Sequence, residues 1–156
     1  MPQIDYYEDI DAPKANRIVL ATSAIVLNDA GEILLQERSD NNSWALPGGT
    51  MNPGESVAQC VTREVKEETG LDVKPEYVLG IYSNPAHIVA YSDGEVHQQF
   101  SICFFCTILA GEIKISDESS KIGFFPLQEV LQLKMHPSIR LRIQHFQEHR
   151  AQPFFS

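Results

Sequence analysis

The stretch from Gly49 to Leu71, GTMNPGESVAQCVTREVKEETGL, constrains this chain more than any other part of it. Ser56 is followed three residues later by Gln59, which is the signature of a helix capping box. Gly70 is a typical helix terminator, because glycine adopts the left-handed conformation without steric cost. These signals predict a helix from Ser56 to Thr69.

The two sides of this predicted helix differ in character. At roughly 100° per residue, the apolar side that begins with Val57 and Val61 continues into the carboxylates of Glu64, Glu67 and Glu68. Like charges repel one another, so a helix that turns such a face toward its own protein needs a cation. Ligation by oxygen alone favours a hard ion, Mg²⁺ or Mn²⁺, over zinc. An acidic helix end in solvent is the alternative interpretation.

The spacing of these residues resembles the Nudix box, in which Gly, five residues, Glu and seven residues precede Arg-Glu-aliphatic-any-Glu-Glu-any-Gly-aliphatic. Every specified place is filled, by Gly49, Glu55, Arg63, Glu64, Val65, Glu67, Glu68, Gly70 and Leu71. Seven fixed identities match by chance at any one start with a probability on the order of 10⁻⁸. The chain is therefore identified from this segment as a member of the Nudix (MutT-like) hydrolase family.

The resemblance implies an α/β fold of the Nudix type, an α/β/α sandwich around a mixed β-sheet. It also implies a hydrolase acting on phosphoric anhydride bonds, in which water attacks a phosphorus of a nucleoside diphosphate linked to a group X. The implied cofactor is Mg²⁺, with Mn²⁺ as a substitute, which neutralises phosphate charge and lowers the pKa of a bound water.

The resemblance assigns roles to five residues of the box. Glu64, Glu67 and Glu68 would be catalytic metal ligands, and Glu64 is also a candidate for the general base. Arg63 would hold Glu55 and its loop in place. A simple ion pair between loop and helix is the alternative for Glu55.

Two further candidate metal ligands lie outside the box. Gly48 has no Cβ atom, so its backbone can approach a ligand closely. The resemblance implies that its carbonyl joins the carboxylates. Glu118 lies in a later polar loop and is the best-placed candidate for an additional carboxylate ligand, with a solvated loop glutamate as the alternative.

The candidate substrate contacts are Arg38, Trp44, Gly49, Tyr82 and Phe100. Arg38 could pair with a phosphate, and the three aromatic side chains could stack on a base or ribose. Gly49 allows the same close backbone approach as its neighbour. For Trp44, packing of the indole against the core is the competing interpretation.

The sequence is compatible with more than one class of substrate. ADP-ribose and nucleotide sugars are slightly favoured, because ADP-ribose hydrolases of the family tend to carry a proline downstream of the box and Pro85 lies close to that place. A (d)NTP pyrophosphohydrolase of the MutT type is the alternative. A ligand-binding Nudix domain without turnover is a third hypothesis, disfavoured because Glu55, Arg63 and all three helix glutamates are present.

Composition narrows the class of protein. A chain of 156 residues with 43% hydrophobic content is expected to form a single domain over residues 1–156. The net charge of −9 disfavours a nucleic-acid polymer and favours a small nucleotide as the partner. The sequence has neither a signal core nor an apolar run that could span a bilayer, so we expect no membrane association and a cytoplasmic location.

Periodicity predicts the remaining elements. Residues 1–16 form an acidic arm that is either loose or packed on a partner subunit. Strands are predicted at residues 17–27, 32–37, 77–82, 88–91, 96–109 and 112–115, and helices at 127–133 and 138–148. The first two strands would pair as a hairpin. The hydrophobic strand at 96–109 and the arm make a homodimer plausible.

Two groups of potential metal ligands are judged inert. Cys103 and Cys106 lie in one strand at an odd separation, so they point to opposite faces and predict two buried thiols rather than a shared metal. His136, His145 and His149 are scattered, with no ligand spacing.

Overall fold

Strands dominate the chain, with one helix after the fifth strand and two helices before the last short strand. The computed structural model describes residues 3–117 and 119–156. In chain order the elements are β1 (Gln3–Tyr7), β2 (Arg17–Leu27), β3 (Ile33–Arg38), β4 (Trp44–Ala45), β5 (Gly48–Thr50), α1 (Val57–Thr69), β6 (Leu71–Tyr82), β7 (His87–Tyr91), β8 (Val96–Gly111), β9 (Ser119–Phe125), α2 (Leu127–Val130), α3 (Pro137–Gln147) and β10 (Phe154–Phe155).

Strands β2 and β8 form the centre of a mixed sheet. They run parallel, from Arg17 opposite His97 to Leu27 opposite Thr107. On its other side β8 pairs antiparallel with β7 and then with β6. β2 pairs antiparallel with β5 and, at one residue pair, with β3, which continues to β4 and β9. The mixed sheet confirms the predicted α/β class.

Each face of the sheet buries an apolar cluster under a helix. On one face Ile25 and Cys103 pack with Ile143 of α3. On the other, Val26 packs with Val65 of α1. Burying one such aliphatic side chain contributes roughly 1.5–3 kcal/mol relative to leaving it exposed. The sheet between α1 and α3 is the predicted sandwich.

The cysteine prediction is confirmed by these two clusters. Cys103 lies in the cluster under α3 and Cys106 in the cluster under α1, and both are free thiols with no exposed surface. Burial raises the pKa of both thiols, that of Cys106 to about 12. These cysteines therefore behave as small core residues.

Helix α1 begins and ends where its sequence signals place it. Ser56 Oγ accepts from the Gln59 N–H at 3.1 Å, and Gln59 Oε1 accepts from the Ser56 N–H at 2.8 Å, which completes the capping box. Gly70 ends the helix at φ 82°, and a Cβ there would lie 2.4 Å from the Glu112 carbonyl oxygen. Both a left-handed backbone and a close approach therefore require glycine.

Four predicted elements differ from the structure. The predicted strand 77–82 is longer, since β6 begins at Leu71. The predicted strand 112–115 is wrong, because the Lys114 N–H donates to the Thr69 carbonyl at the end of α1 rather than to a strand. The predicted helix 127–133 is shorter, since α2 ends at Val130. The predicted hairpin is minimal: only Leu27 and Ile33 pair, because β3 turns away to β9.

The N-terminal arm contributes a strand to its own sheet. β1 pairs antiparallel with β7, from Gln3 opposite Tyr91 to Tyr7 opposite His87. The alternative of a loose arm is therefore wrong for these residues, and packing of the arm on a partner subunit stays a prediction. Among the described helices, none combines the length and the apolar character needed to cross a bilayer.

Candidate functional site

Arg63 lies at the centre of the cluster that the sequence predicted around α1. Its Nε and Nη2 donate to the two carboxylate oxygens of Glu55 at 2.9 and 2.7 Å. Its Nη1 donates to Glu64 at 2.8 Å and to Glu67 at 3.1 Å, and Nη2 also reaches the Thr50 carbonyl at 3.1 Å. One guanidinium thus joins the loop before α1, the helix itself and β5.

The pairing fixes the charge of Glu55. The hydrogen bonds from Arg63 lower the pKa of Glu55 to about 2, and the Asn52 N–H adds a further bond at 2.7 Å. In return, Glu55 raises the pKa of Arg63 above its ordinary value. A carboxylate held ionised in this way is a poor proton acceptor near neutral pH, so Glu55 positions Arg63 and the loop.

Glu68 is buried beside β5, the strand that contains Gly48 and Gly49. Its Oε2 accepts from the Gly48 N–H at 2.8 Å and from Gln36 Nε2 at 2.9 Å. Gln36 Oε1 in turn accepts from Ser119 Oγ at 2.8 Å. Sequence reasoning missed Gln36, although a polar residue in the buried strand ILLQER was a usable signal. Glu118, predicted as a further ligand, lies outside the described residues.

The two glycines of β5 allow close approach on different sides, Gly49 to Glu64 of α1 and Gly48 to the backbone of β2. A Cβ on Gly49 would lie 2.4 to 2.6 Å from the carboxylate atoms of Glu64. A Cβ on Gly48 would lie 2.1 Å from the Thr22 carbonyl oxygen of β2. The N–H and C=O of one strand residue point to the same side, so the Gly48 carbonyl shares the edge at which its N–H meets Glu68.

The donor set fits a hard divalent cation. Three carboxylates, those of Glu55, Glu64 and Glu67, pair with the guanidinium of Arg63. Glu68 adds a fourth carboxylate from the same helix, bound to the Gly48 N–H, so the cluster has an excess of negative charge. The side chain of Glu64 is 15% exposed and that of Glu67 is 60% exposed, so the cluster opens to solvent at one end. An oxygen-only set of this kind suits Mg²⁺ or Mn²⁺.

A second cluster of potential metal ligands joins β1, β7 and the N-cap of α3. The prediction that His136 lies apart from other potential ligands is therefore wrong. Asp5 Oδ1 lies 3.2 Å from His87 Nε2 and 3.3 Å from His136 Nε2. The two imidazole rings stack with centroids 4.8 Å apart. Burial alone would raise the pKa of Asp5, but the hydrogen bonds from His136 and His87 outweigh burial and hold that pKa below its usual range.

The proton positions in this cluster favour a hydrogen-bonded link between β1 and α3 over a metal site. The Ser138 N–H donates to His136 Nδ1 at 3.1 Å, so we assign the proton of the neutral ring to Nε2, which faces Asp5. A protonated Nε2 has no lone pair for a metal. We call Asp5, His87 and His136 the arm latch.

Two of the predicted substrate contacts have partners elsewhere. Arg38 forms a two-point ion pair with Asp40 at 3.0 and 2.8 Å on an exposed loop. Trp44 packs edge-on against Phe125 with ring centroids 4.8 Å apart, at the rim of the cluster under α3. This contact matches the packing interpretation for Trp44.

The other two aromatic candidates lie on different faces of the sheet. Tyr82 is buried in the cluster under α3, and its hydroxyl lies 2.8 Å from His145 Nδ1. Phe100 has the same parity in β8 as Phe104, which faces α1. The structure therefore does not gather Arg38, Tyr82 and Phe100 around one ligand.

Comparison with known proteins adds a family and named relatives. The family profile described as NUDIX domain matches residues 17–146. An ADP-ribose pyrophosphatase from Methanocaldococcus jannaschii is 38% identical over 117 residues, which cover 73% of this chain and 65% of that protein. The human 8-oxo-dGDP phosphatase NUDT18 is 43% identical over 61 residues, covering 37% of this chain and 19% of that protein. The chain thus spans less than two thirds of the length of these curated relatives.

A solved structure shares the fold. The crystal structure of an ADP-ribose pyrophosphatase from Streptococcus suis superposes with a TM-score of 0.67 at 26% identity, covering 88% of this chain and 98% of that one. The names of the relatives agree on phosphoric anhydride chemistry and differ in the substrate.

Proposed function

Because the chain belongs to the NUDIX domain family, we propose that it is a pyrophosphohydrolase that cleaves the diphosphate of a nucleoside diphosphate linked to a group X. ADP-ribose and nucleotide sugars are the favoured class. The similarity to the M. jannaschii and S. suis ADP-ribose pyrophosphatases supports this choice. The net charge of −9 supports a small nucleotide over a nucleic-acid polymer as the partner.

One observation carries the proposal. Glu64 and Glu68 project from one helix toward β5, where Gly49 leaves room for the Glu64 carboxylate and the Gly48 N–H donates to Glu68. Arg63 and Glu55 fix the neighbouring loop at hydrogen-bond distance. Such precise placement of like charges next to a backbone carbonyl has little value for stability, since the charges repel one another. It is what a phosphate-bound cation requires.

Members of the family generally need a divalent metal, and we propose Mg²⁺, with Mn²⁺ able to replace it. Glu64, Glu67, Glu68 and the Gly48 carbonyl would hold it. When bound, such a cation neutralises charge on the diphosphate and lowers the pKa of the attacking water.

In this proposal some residues of the site act in proton transfer and others hold the carboxylates in position. Glu64 accepts the proton of the water that attacks phosphorus, while the bond from that phosphorus to the bridging oxygen breaks. Arg63 orients Glu64 through its 2.8 Å hydrogen bond and is a positioning residue. Gly48 and Gln36 orient Glu68 in the same way. The products are a nucleoside monophosphate and the phosphate of X.

A second candidate substrate is a nucleoside triphosphate, including one with a damaged base. The 43% identity over 61 residues with human NUDT18, named an 8-oxo-dGDP phosphatase, supports it. The reaction on a triphosphate would release pyrophosphate instead of the phosphate of X.

Product analysis on a panel of substrates tests both candidate substrate classes. ADP-ribose, nucleotide sugars, dinucleotides and NTPs would be incubated with Mg²⁺, and the products separated by chromatography. If the substrate belongs to the favoured class, the products are two monophosphates. If it is a nucleoside triphosphate, the products are a nucleoside monophosphate and pyrophosphate.

Removal of the metal tests the cation mechanism. We expect excess EDTA to stop turnover, Mg²⁺ or Mn²⁺ to restore it and a zinc-specific chelator to leave it unchanged. Full turnover in EDTA would refute the metal mechanism, and a panel without any product would refute the proposed hydrolysis of these substrates.

A further inference from the structure

A cavity of about 290 Å³ lies on the α3 face of the sheet. Its volume is close to the lower end of the range for small-molecule sites, about 300 to 1,000 Å³. The walls combine aromatic, amide and cationic side chains, among them Tyr7, Tyr82, Gln99, Leu141, Arg142 and Phe154. The carboxylates of α1 belong to the opposite face, so the proposed chemistry makes no use of this space.

Arg142 is the unusual member of this lining. It is 6% exposed, and its buried Nε has no hydrogen-bond partner among the described residues. Within the same part of the chain no carboxylate pairs with the guanidinium. Its contact is a cation–π interaction with the Tyr82 ring, whose centroid lies 4.7 Å from Cζ. Arg142 is thus a buried cation without a counter-ion.

Two buried neighbours of Arg142, Cys103 and Tyr82, supply no negative charge near neutral pH. Burial lowers the pKa of Arg142, on which Cys103, Tyr82 and Tyr7 act electrostatically. Burial also raises the pKa of the Cys103 thiol and of the Tyr82 phenol, so both stay neutral. Glu8 borders the cavity and accepts from Asn84 Nδ2 at 2.7 Å on the exposed rim. Ser156, the last residue of the sequence, also borders the cavity, and its backbone oxygen accepts from Ser83 Oγ at 2.9 Å.

An arginine in this setting is costly unless something negative joins it. A guanidinium stays protonated in proteins, and removing it from water without a partner is strongly unfavourable. Its planar fork matches the two oxygens of a carboxylate or phosphate. The Gln99 side chain, which lines the same space, makes no hydrogen bond to a described residue and offers a further polar contact.

From this we propose that the cavity binds a small organic anion. The carboxylate or phosphate of the ligand pairs with Arg142, and its apolar or aromatic body packs against Tyr7, Tyr82 and Phe154. Two sources share this chemistry: an anionic group carried by the substrate's own X, or a separate effector. The sheet register places Gln99 beside Val19 of β2, three residues from Thr22, which lies opposite Gly49. A substrate that joins the two sites has to pass around the edge of the sheet, in addition to covering roughly 10 Å across the strands and 10 Å along them.

Binding without turnover tests the site independently of the proposed hydrolysis. Benzoate, phenyl phosphate and inorganic phosphate would be titrated in EDTA by calorimetry and by thermal unfolding. We expect phenyl phosphate or benzoate to raise the Tm of the parent, and Arg142→Met to weaken that binding at least tenfold. Gln99→Leu should weaken it less. Arg150→Met, which removes an exposed arginine next to Phe154, is the matched control and should bind like the parent.

The stability of the ligand-free variant distinguishes a binding role from a structural one. If Arg142 is kept for a ligand, Arg142→Met removes an unpaired buried charge and leaves the Tm equal to or above that of the parent. A marked fall in Tm, or failure to fold, would show that the guanidinium stabilises the fold and would overturn the proposal. So would equal binding of the probes to parent and variant, or no binding of any probe to the parent.

Kinetics with the best substrate of the panel separate the two sources. If the anion belongs to the substrate, Arg142→Met raises KM at least tenfold and phenyl phosphate inhibits the parent competitively. If it is a separate effector, KM without added anion is unchanged in the variant, and phenyl phosphate alters the turnover of the parent without competing. Either result supports an anion site on Arg142.

Discussion

Arg63 shows how much one side chain can organise at the residue scale. It makes five hydrogen bonds, to Glu55, Glu64, Glu67 and the Thr50 carbonyl. The planar guanidinium is able to do so because its donors point in several fixed directions, whereas a lysine ammonium is a compact point charge. The charge pattern of the site therefore depends on geometry as well as on the number of carboxylates.

The glutamates of α1 are expected to carry turnover. Glu64→Gln and Glu68→Gln should each lower kcat by at least about 100-fold, because an amide oxygen replaces an anionic ligand. In Glu68→Gln the amide oxygen can still accept from Gly48 and Gln36, so circular dichroism and Tm should change little. Glu129→Gln, at an exposed position of α2, is the control and should retain parental kcat. Parental turnover in the two site variants would remove them from the mechanism.

Gly49 is expected to tolerate no side chain next to Glu64. In Gly49→Ala the new Cβ would meet the Glu64 carboxylate at 2.4 to 2.6 Å, so the carboxylate has to move. Since a displacement of this size disrupts ligand geometry, we expect kcat to fall at least about tenfold with little loss of fold. Gly123→Ala is the matched control, because its Cβ would have no atom closer than 3.9 Å. Steady-state kinetics of the two alanine variants would be compared, and equal activities would contradict the clearance argument.

At the scale of elements, α1 was predictable because its signals are local. The capping box of Ser56 and Gln59 and the terminator Gly70 act within one helix turn, and all three are found in place. Gln36 was not predictable in its role, because its partner Glu68 lies 32 residues away and only the fold brings them together. The prediction of a strand at 112–115 was wrong for the same reason, since the Lys114 N–H bonds to the Thr69 carbonyl, which lies 45 positions earlier in the chain.

The loop–helix pair of Glu55 and Arg63 predicts a pH dependence of stability. The pKa of Glu55 falls from 4.5 to about 2 on folding, so its contribution is present above pH 4.5 and is lost as pH falls toward 2. Urea unfolding of the parent and of Glu55→Gln should therefore show a larger difference in unfolding free energy at pH 6 than at pH 2.5. A difference that is constant between these pH values would show that the pair does not stabilise the fold.

At the scale of the whole molecule, the sheet separates two sites. The face under α1 holds the carboxylates, and the face under α3 holds the cavity of Arg142. The arm completes the second face, because Tyr7 lines the cavity and the arm latch ties β1 to α3. Residues of the latch are separated by 82 and 131 positions, and no local pattern could have indicated their contact.

The arm latch is expected to hold β1 in place. Asp5→Asn removes the charge that accepts from His87 and His136, which we value at about 1 kcal/mol because Asp5 is partly exposed. Amides of residues 3–7 should then exchange about fivefold faster by mass spectrometry. In the parent the protection of these amides against exchange is fully present above pH 3.8. It is lost progressively as the pH falls below 3.8, since the pKa of Asp5 is lowered on folding. Asp29→Asn, in an exposed turn, is the control, and unchanged exchange in Asp5→Asn would refute the latch.

Titration of Mn²⁺ followed by electron paramagnetic resonance, without substrate, decides whether the α1 carboxylates hold a divalent cation. The parent should bind Mn²⁺, and Glu68→Gln should bind it at least about tenfold more weakly, because a ligand charge is lost. Glu129→Gln and Asp5→Asn should bind like the parent, which separates this site from the arm latch. Equal affinity in Glu68→Gln and parent, or loss of binding in Asp5→Asn alone, would contradict the proposed cation site.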